Sequence, residues 1–362
     1  MRTLGGRGLA TATAGLSLLL LLLAGAASGA EPPLTLRILW DRPLPETAAS
    51  AHDLRWASDE SVYLALGWDG VVEMSLAPYG ERIQQVVAGK KERGGFYVST
   101  LLGAHADTVL VGAPIAAVTW QRRASTARRE APFDAVEDLD VHGGRALLLG
   151  ARRDAQGRFA PEGGIAWLGT LAADLADAQP VVSDSRGPGA PNLNACGNFG
   201  LGAVRFLPDG SFVVVPGVQA GALHFDPAGK LLRTWDTVAL GLTDDCARLT
   251  PEEARRIHFT PTRWEWLNAR RTLDEVVPLP GGVGLIVRGV EGVVPSWELV
   301  RLILDGSVAD RLSLPIPPIN EITHLQADRR GDRLLILVRA YVPEPGAKRS
   351  MPGRLVLVEL GG

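Results

Sequence analysis

One local pattern constrains this chain more than any other: an apolar run, a turn rich in Gly, Asp, Pro or Ser, and a second apolar run of β-branched and leucine residues. "RFLPDGSFVVVPG" from Arg205 is its clearest copy, and five relatives begin at Leu54, Leu101, Leu139, Val276 and Leu325. Alternating apolar strands around such a turn are the signature of a β-hairpin. Most copies are followed by a third apolar run, starting near Gly70, Ala113, Gly163, Gly221, Ser296 and Gly353, and several by a fourth, as at Glu81 and Lys230. The second runs begin near residues 61, 107, 145, 211, 283 and 333, with the excess length around the fourth unit.

Three or four antiparallel strands recurring six times is the grammar of a β-propeller, so the expectation is an all-β, six-bladed propeller. A pair of β-sandwich domains is the rival arrangement for many short strands. The sixth unit ends at its third run, "RLVLVEL", so its outer strand must come from elsewhere. The N-terminal "LTLRILWD", Leu34 to Asp41, precedes the first hairpin and has no unit of its own. It is expected to pair beside Arg354 to Leu360, closing the ring and removing an exposed edge.

Residues 1–30 are read as a cleaved secretory signal: Arg2 and Arg7, an apolar stretch from Ala10 to Leu23, then Ser28-Gly29-Ala30 before Glu31. That stretch is too short to cross a bilayer, and no later segment is long and apolar enough. The expectation is an exported chain, periplasmic or extracellular, with residues 31–362 forming one propeller domain and no membrane span.

With 40 acidic residues against 37 basic ones, the charge gives no reason to expect nucleic acid. The two cysteines, Cys196 and Cys246, read as one disulfide in an exported chain, worth about 4 kcal/mol for a loop of this length, or as two separate buried thiols.

Helical grammar is confined to one region. In "LTPEEARRIHF", Thr250 is a natural N-cap, Pro251 suits the first helical position and Glu253 completes a capping box, while Thr262 and Glu265 repeat the spacing in "TRWEWLNARR". A helical insert over 241–272 is therefore expected between the fourth and fifth units. If the first strand of each blade lines the channel, Cys196, Cys246 and this insert share one loop face, where propellers commonly carry function.

Candidate chemistry is sparse. Four inner strands open with acids in similar places: Asp53, Asp138, Glu275 and Glu321. With Asn198 they could offer oxygen ligands to a calcium-type cation, which in turn could activate water. Equally, they could accept hydrogen bonds from the neighbouring blade's backbone, or stand as solvated strand starts. Asp138, Asp140 and Gly143 resemble the start of a calcium loop, but Leu149 stands where a bidentate Glu is needed, so the segment reads as strand and turn. The six histidines are scattered singly, no HExxH or GxSxG motif occurs, and nothing points to zinc or a nucleophile elbow. Trp68, Trp264 and Trp266 fall in loop-face elements and are candidates for stacking on a ligand.

The "LPDGS" and "LPGG" turns, each followed by an apolar run, resemble the six-bladed propeller superfamily of exported bacterial proteins, including NHL-repeat, TolB-like and gluconolactonase-like members. The gluconolactonase resemblance implies a channel-mouth metal held by a Glu and Asn/Asp residues. Here Glu321, Asn198 and Asp53 are similar in kind, although the order and flanking sequence of that site do not align. Two functions follow: a binding module presenting its loop face to a protein or glycan partner, or a metal-assisted hydrolase or lactonase at the channel mouth.

Overall fold

The computed structural model describes residues 33–88, 101–106, 108–113, 116–122, 129–130, 133–152, 164–183, 202–216, 221–242, 266, 269–291, 294–320, 323–339 and 353–361. The unit Thr35–Gly361 is a β-propeller. Among the described residues it contains six four-stranded antiparallel sheets. The first holds β2 (Asp53–Trp56), β3 (Ser61–Ala65), β4 (Gly70–Leu76) and β5 (Tyr79–Ala88); β1 (Thr35–Pro43) precedes it and belongs elsewhere. The second holds β6 (Leu101–His105), β7 (Thr108–Ala113), β8 (Ala116–Arg122) and β9 (Arg129–Glu130). The third holds β10 (Phe133–His142), β11 (Arg145–Arg152), β12 (Gly164–Thr170) and β13 (Gln179–Ser183). The fourth holds β14 (Ala203–Phe206), β15 (Phe212–Val215), β16 (Ala222–Phe225) and β17 (Leu231–Trp235). The fifth holds β18 (Thr272–Leu279), β19 (Gly282–Glu291), β20 (Val294–Ile303) and β21 (Val308–Leu314).

The sixth sheet has the order β1-β24-β23-β22, with β22 (His324–Arg330), β23 (Arg333–Arg339) and β24 (Arg354–Gly361). The N-terminal strand is thus its outer strand, antiparallel to β24 with Leu36 opposite Leu360 and Asp41 opposite Val356. This is the closure expected from the missing fourth run of the last unit. The first strands touch in succession, β2 to β6, β10, β14, β18, β22 and back to β2, around a central channel.

The turns form where the sequence supplies residues for left-handed backbone: Gly143 and Gly144 (φ 56° and 79°), Gly210 (81°), Gly281 (64°) and Gly331 (63°) each lie between a first and a second strand. Packing then runs between sheets rather than within them. Leu54, Leu64 and Met74 of the first sheet share a buried cluster with Leu335, Leu337 and Leu355 of the sixth. Tyr63, Ala65 and Val71 meet Leu102, Val109 and Val111 of the second in another. Stability is therefore largely a sum of neighbour-on-neighbour interfaces.

Helix is scarce among the described residues: a 3-10 turn at Glu46–Ala48, a short helix at Thr237–Leu240 and the helical position Trp266 within the 241–272 segment. The cap residues proposed for the 241–272 insert, Thr250 to Glu253 and Thr262 to Glu265, lie outside the described residues, as do the signal segment, Cys196 and Cys246. No helix is long and apolar enough to cross a membrane, among the described residues.

Candidate functional site

Inner strands of adjacent sheets lie side by side without a ladder between them, so their backbone N–H groups need other acceptors. Aspartates supply them, always from one strand to the next in the same direction round the ring. Asp53 Oδ2 accepts the Leu102 N–H at 2.7 Å, Asp138 Oδ2 the Val204 N–H at 2.7 Å, and Asp140 Oδ2 the Phe206 N–H at 2.8 Å. Asp274 Oδ2 accepts from Leu325 at 2.9 Å, and Asp328 Oδ2 from Trp56 at 2.8 Å, across the point where the ring closes. Between β14 and β18 an arginine takes over, with Arg205 Nε donating to the Val276 carbonyl at 3.0 Å. Between β6 and β10 the backbones instead come close at Gly103, where a Cβ would stand 3.1 Å from Asp140 Cα.

Two buried guanidiniums gather these acids. Arg55 lies 2.9 Å from Asp53 and 3.7 Å from Asp138; Arg205 lies 2.5 Å from Glu275 and 3.7 Å from Asp140. Burial works against the charge on each arginine, and in Arg55 so does Arg205, but the facing carboxylates outweigh this and hold both pKa values above the ordinary range. The acids respond unequally. Burial first, and then Glu275, push Asp138 up to about 7. Burial also raises Glu275 and Asp328. Asp274 goes the other way: burial would raise it, but hydrogen bonding and charge from His324, the Arg288 charge and the Leu325 N–H hold its carboxyl below the usual range.

Beyond these groups lies a cavity of about 370 Å³, at the hairpin-turn end of the inner strands. Arg55, Arg205, Asp140 and Asp328 contribute to its lining, together with the rings of Trp56, His105, His142 and Phe206. His105 and His142 pack at a tilt of 49° with centroids 4.6 Å apart, and His142 meets Phe206 at 5.7 Å. Burial, and then His105, lower the pKa of His142. Arg329 and Arg330 also line the cavity; Arg330 pairs with Asp59 at 2.5 Å.

Of the candidate metal ligands, Asp53, Asp138 and Glu275 are brought together, but around Arg55 and Arg205 and behind the cavity rather than in its wall. Asn198 and Glu321 lie outside the described residues. Among the described residues no group of three or more His, Cys, Asp or Glu side chains is arranged to hold a metal ion. Trp68 is 48% exposed, whereas Trp266 is buried with the Arg270 guanidinium 4.1 Å from its ring centroid; Trp264 is outside the described residues.

Sequence reasoning passed over Arg55, Arg205, Asp274 and Asp328, and read Asp140 as strand and turn. The available signal was a charge at an inward-facing position of an otherwise apolar strand, as in "DLRW", "DLDV" and "AVRF". Bulges blurred it: the register slips between Leu273 and Glu275, leaving Asp274 as the extra residue, and again between Val136 and Asp138.

No family model matches the chain, and no curated protein does. Solved structures do resemble it. The PQQ-bound aldose sugar dehydrogenase of Streptomyces coelicolor aligns with a TM-score of 0.50 at 10% identity, covering 91% of this chain and 99% of that one. The RRP9 WD40 repeats align at 0.47 with 10% identity, over 90% and 100% of the two chains. YCF48 bound to a D1 peptide aligns at 0.42 with 12% identity, over 83% and 78%. At these identities the likeness concerns the propeller fold alone.

Proposed function

We propose that this chain is an exported, six-bladed propeller of the NHL/TolB-like kind that serves as a binding module for a protein partner. Six sheets whose inner strands touch in a closed succession support the blade number, and the N-terminal leader pattern supports export. One observation carries the choice of binding over hydrolysis. The channel acids Asp53 and Asp138 are engaged by the next strand's backbone and by arginine, and Glu275 by Arg205, while a cavity beside them stays open. Calcium-assisted hydrolysis through these oxygens would require stripping them from buried donors.

The test uses residues 31–362 produced in an oxidising compartment. A displayed random-peptide library is selected on the folded protein, and hydrogen exchange is followed at 104–106, 140–142, 205–208 and 328–330. Selected peptides should slow exchange there, and neither calcium nor chelator should move the melting temperature. Calcium-dependent stabilisation together with lactone hydrolysis would overturn the reading.

A further inference from the structure

Among the described histidines, His52, His224 and His324 each have a side-chain partner, Arg339, Ser211 and Asp274 respectively. His105 and His142 differ. Their rings meet at 4.6 Å, and neither makes a hydrogen bond to a described residue. His105 is exposed and His142 half-buried, and both line the cavity, so solvent reaches both rings. The pair also occupies a distinctive junction. At five of the six contacts between neighbouring inner strands, a side chain bonds the next strand's backbone. β6 supplies no such bond to β10, because Leu101, Leu102, Gly103, Ala104 and His105 include neither a carboxylate nor a guanidinium. Apolar packing holds this seam instead: Leu101 and Leu110 share a cluster with Leu139 and Val141.

Protonation places like charges on both sides of that seam. For His142, burial opposes a proton most, His105 and Arg145 oppose it too, and Asp140 and Asp209 favour it; the net effect holds its pKa below the ordinary histidine value. Neither acid can turn to meet an imidazolium without loss. Both oxygens of Asp140 accept backbone N–H groups, from Val141 and Phe206, and Asp209 Oδ1 accepts the Ser211 N–H and hydroxyl. The rest of the lining adds Arg55, Arg205, Arg329 and Arg330 against one further acid, Asp328. Asp107, in the turn after His105, lies outside the described residues. A group with a lowered folded pKa gives stability that is present above about pH 6.5 and is lost as pH falls through the folded value. Two imidazolium rings 4.6 Å apart repel enough to shift a local opening equilibrium by roughly five- to twentyfold, according to how much water screens them.

Resting on the binding reading above, we infer that the His105–His142 pair is an acid-sensitive seam in the wall of the binding cavity. At neutral pH the uncharged rings pack and the wall is closed. In mild acid, where histidine takes up its charge, repulsion between the rings loosens β6 from β10 and weakens the hold on a partner seated there.

Hydrogen exchange of residues 31–362 without any partner, at pH 7.5 and 5.0 and corrected for the intrinsic pH dependence of exchange, reads the seam directly. Opening at 102–105 and 139–142 should rise roughly five- to twentyfold at pH 5.0, while 299–302 in β20 should not follow. His105→Phe keeps a ring against His142 without a second charge. It should exchange like the parent at pH 7.5 and lose most of the acid-induced rise. Peptides selected from the library in the preceding experiment, chosen to lack acidic and histidine residues, are then titrated calorimetrically. They should bind the parent about fivefold or more weakly at pH 5.0 than at pH 7.5, and His105→Phe less than about twofold more weakly. No acid-induced rise at 102–105 and 139–142, an equal rise in His105→Phe, or parent affinity unchanged by acid would overturn the acid-sensitive seam. The exchange measurement needs no peptide and is decided even if the library yields none, so the seam and the binding reading fail separately.

Discussion

Replacing Asp53 by alanine tests whether the channel acids hold the ring together. Asp53 accepts the Leu102 N–H at 2.7 Å, the Leu54 N–H at 2.7 Å and Arg55 Nη1 at 2.9 Å, and it is 1% exposed. Alanine leaves two buried amides without that acceptor and takes from Arg55 its nearest carboxylate. Breaking one side of a buried ion pair costs about 3–5 kcal/mol, and orphaned amides about 1–3 kcal/mol each. These terms overlap, and removing one negative charge also relieves Asp138 and Glu275, so a net loss of about 3 kcal/mol is expected. At roughly 2.1 cal/mol/K per residue over a unit of about 330 residues, that loss lowers the melting temperature by about 4 °C. Differential scanning calorimetry of the variant against the parent, with and without chelator, reads it directly. Asp59→Ala is the control, because Asp59 pairs with Arg330 at the surface with 72% of its side chain exposed, and its loss should leave the midpoint unchanged. If Asp53→Ala melts like the control, or if its loss appears only when calcium is present, the acid is not a clasp between sheets.

Other expectations follow from the same geometry. Because burial and Glu275 raise the Asp138 pKa to about 7, the folded protein holds that proton more tightly than the unfolded chain, and this group's contribution to stability falls as pH rises from about 4 to 7. Asn keeps an acceptor for Val204 without the charge, so Asp138→Asn should gain on the parent by about 1 kcal/mol or more between pH 4.5 and 7.5 in denaturant titrations; a pH-independent difference would contradict this. A Cβ on Gly282 would stand 2.0 Å from the Leu302 carbonyl oxygen, whereas one on Gly144 meets nothing within 4 Å. Gly282→Ala should therefore cost about 3 kcal/mol or more by parting β19 from β20, and Gly144→Ala only the left-handed backbone strain of about 1–2 kcal/mol; equal melting temperatures would refute the distinction. Removing residues up to Pro43 strips β24 of its partner along the pairs from Thr35 to Pro43. The truncated chain should melt lower and self-associate in size-exclusion chromatography with light scattering, whereas an unchanged monomer would show that closure contributes little.

The second strand of each unit was readable almost to the residue, whereas the first strands of the third and fifth sheets begin at Phe133 and Thr272, ahead of the runs expected from Leu139 and Val276. Second runs expected near 61, 107, 145, 211, 283 and 333 correspond to strands beginning at Ser61, Thr108, Arg145, Phe212, Gly282 and Arg333. Closure was readable too, because the last unit lacks a strand and the first segment lacks a unit. The site was only partly readable. Asp53, Asp138 and Glu275 were expected to open their strands, but only Asp53 does: Asp138 lies within Phe133–His142 and Glu275 within Thr272–Leu279, because the bulged first halves of those strands do not read as apolar runs. Their partners Arg55 and Arg205 did not stand out, and a calcium-type ligand set and a backbone clasp draw on the same residues. Asp274 was hidden by its bulge, since one extra residue reverses the inward parity on which such reading depends.

The division has a physical basis. A hairpin is decided by side-chain alternation and by a few turn residues with left-handed backbone, all within a dozen positions, and the sequence alone therefore determined the hairpins and the strand that latches the ring, whereas a fourth strand in every sheet came only with the structure. The channel is decided by residues far apart along the chain: Asp328 reaches the Trp56 amide across 272 positions, and Asp53 reaches Leu102 across 49. Which charges meet there, and that the cavity lies at the hairpin-turn end of the strands, were settled only by the geometry of the closed ring.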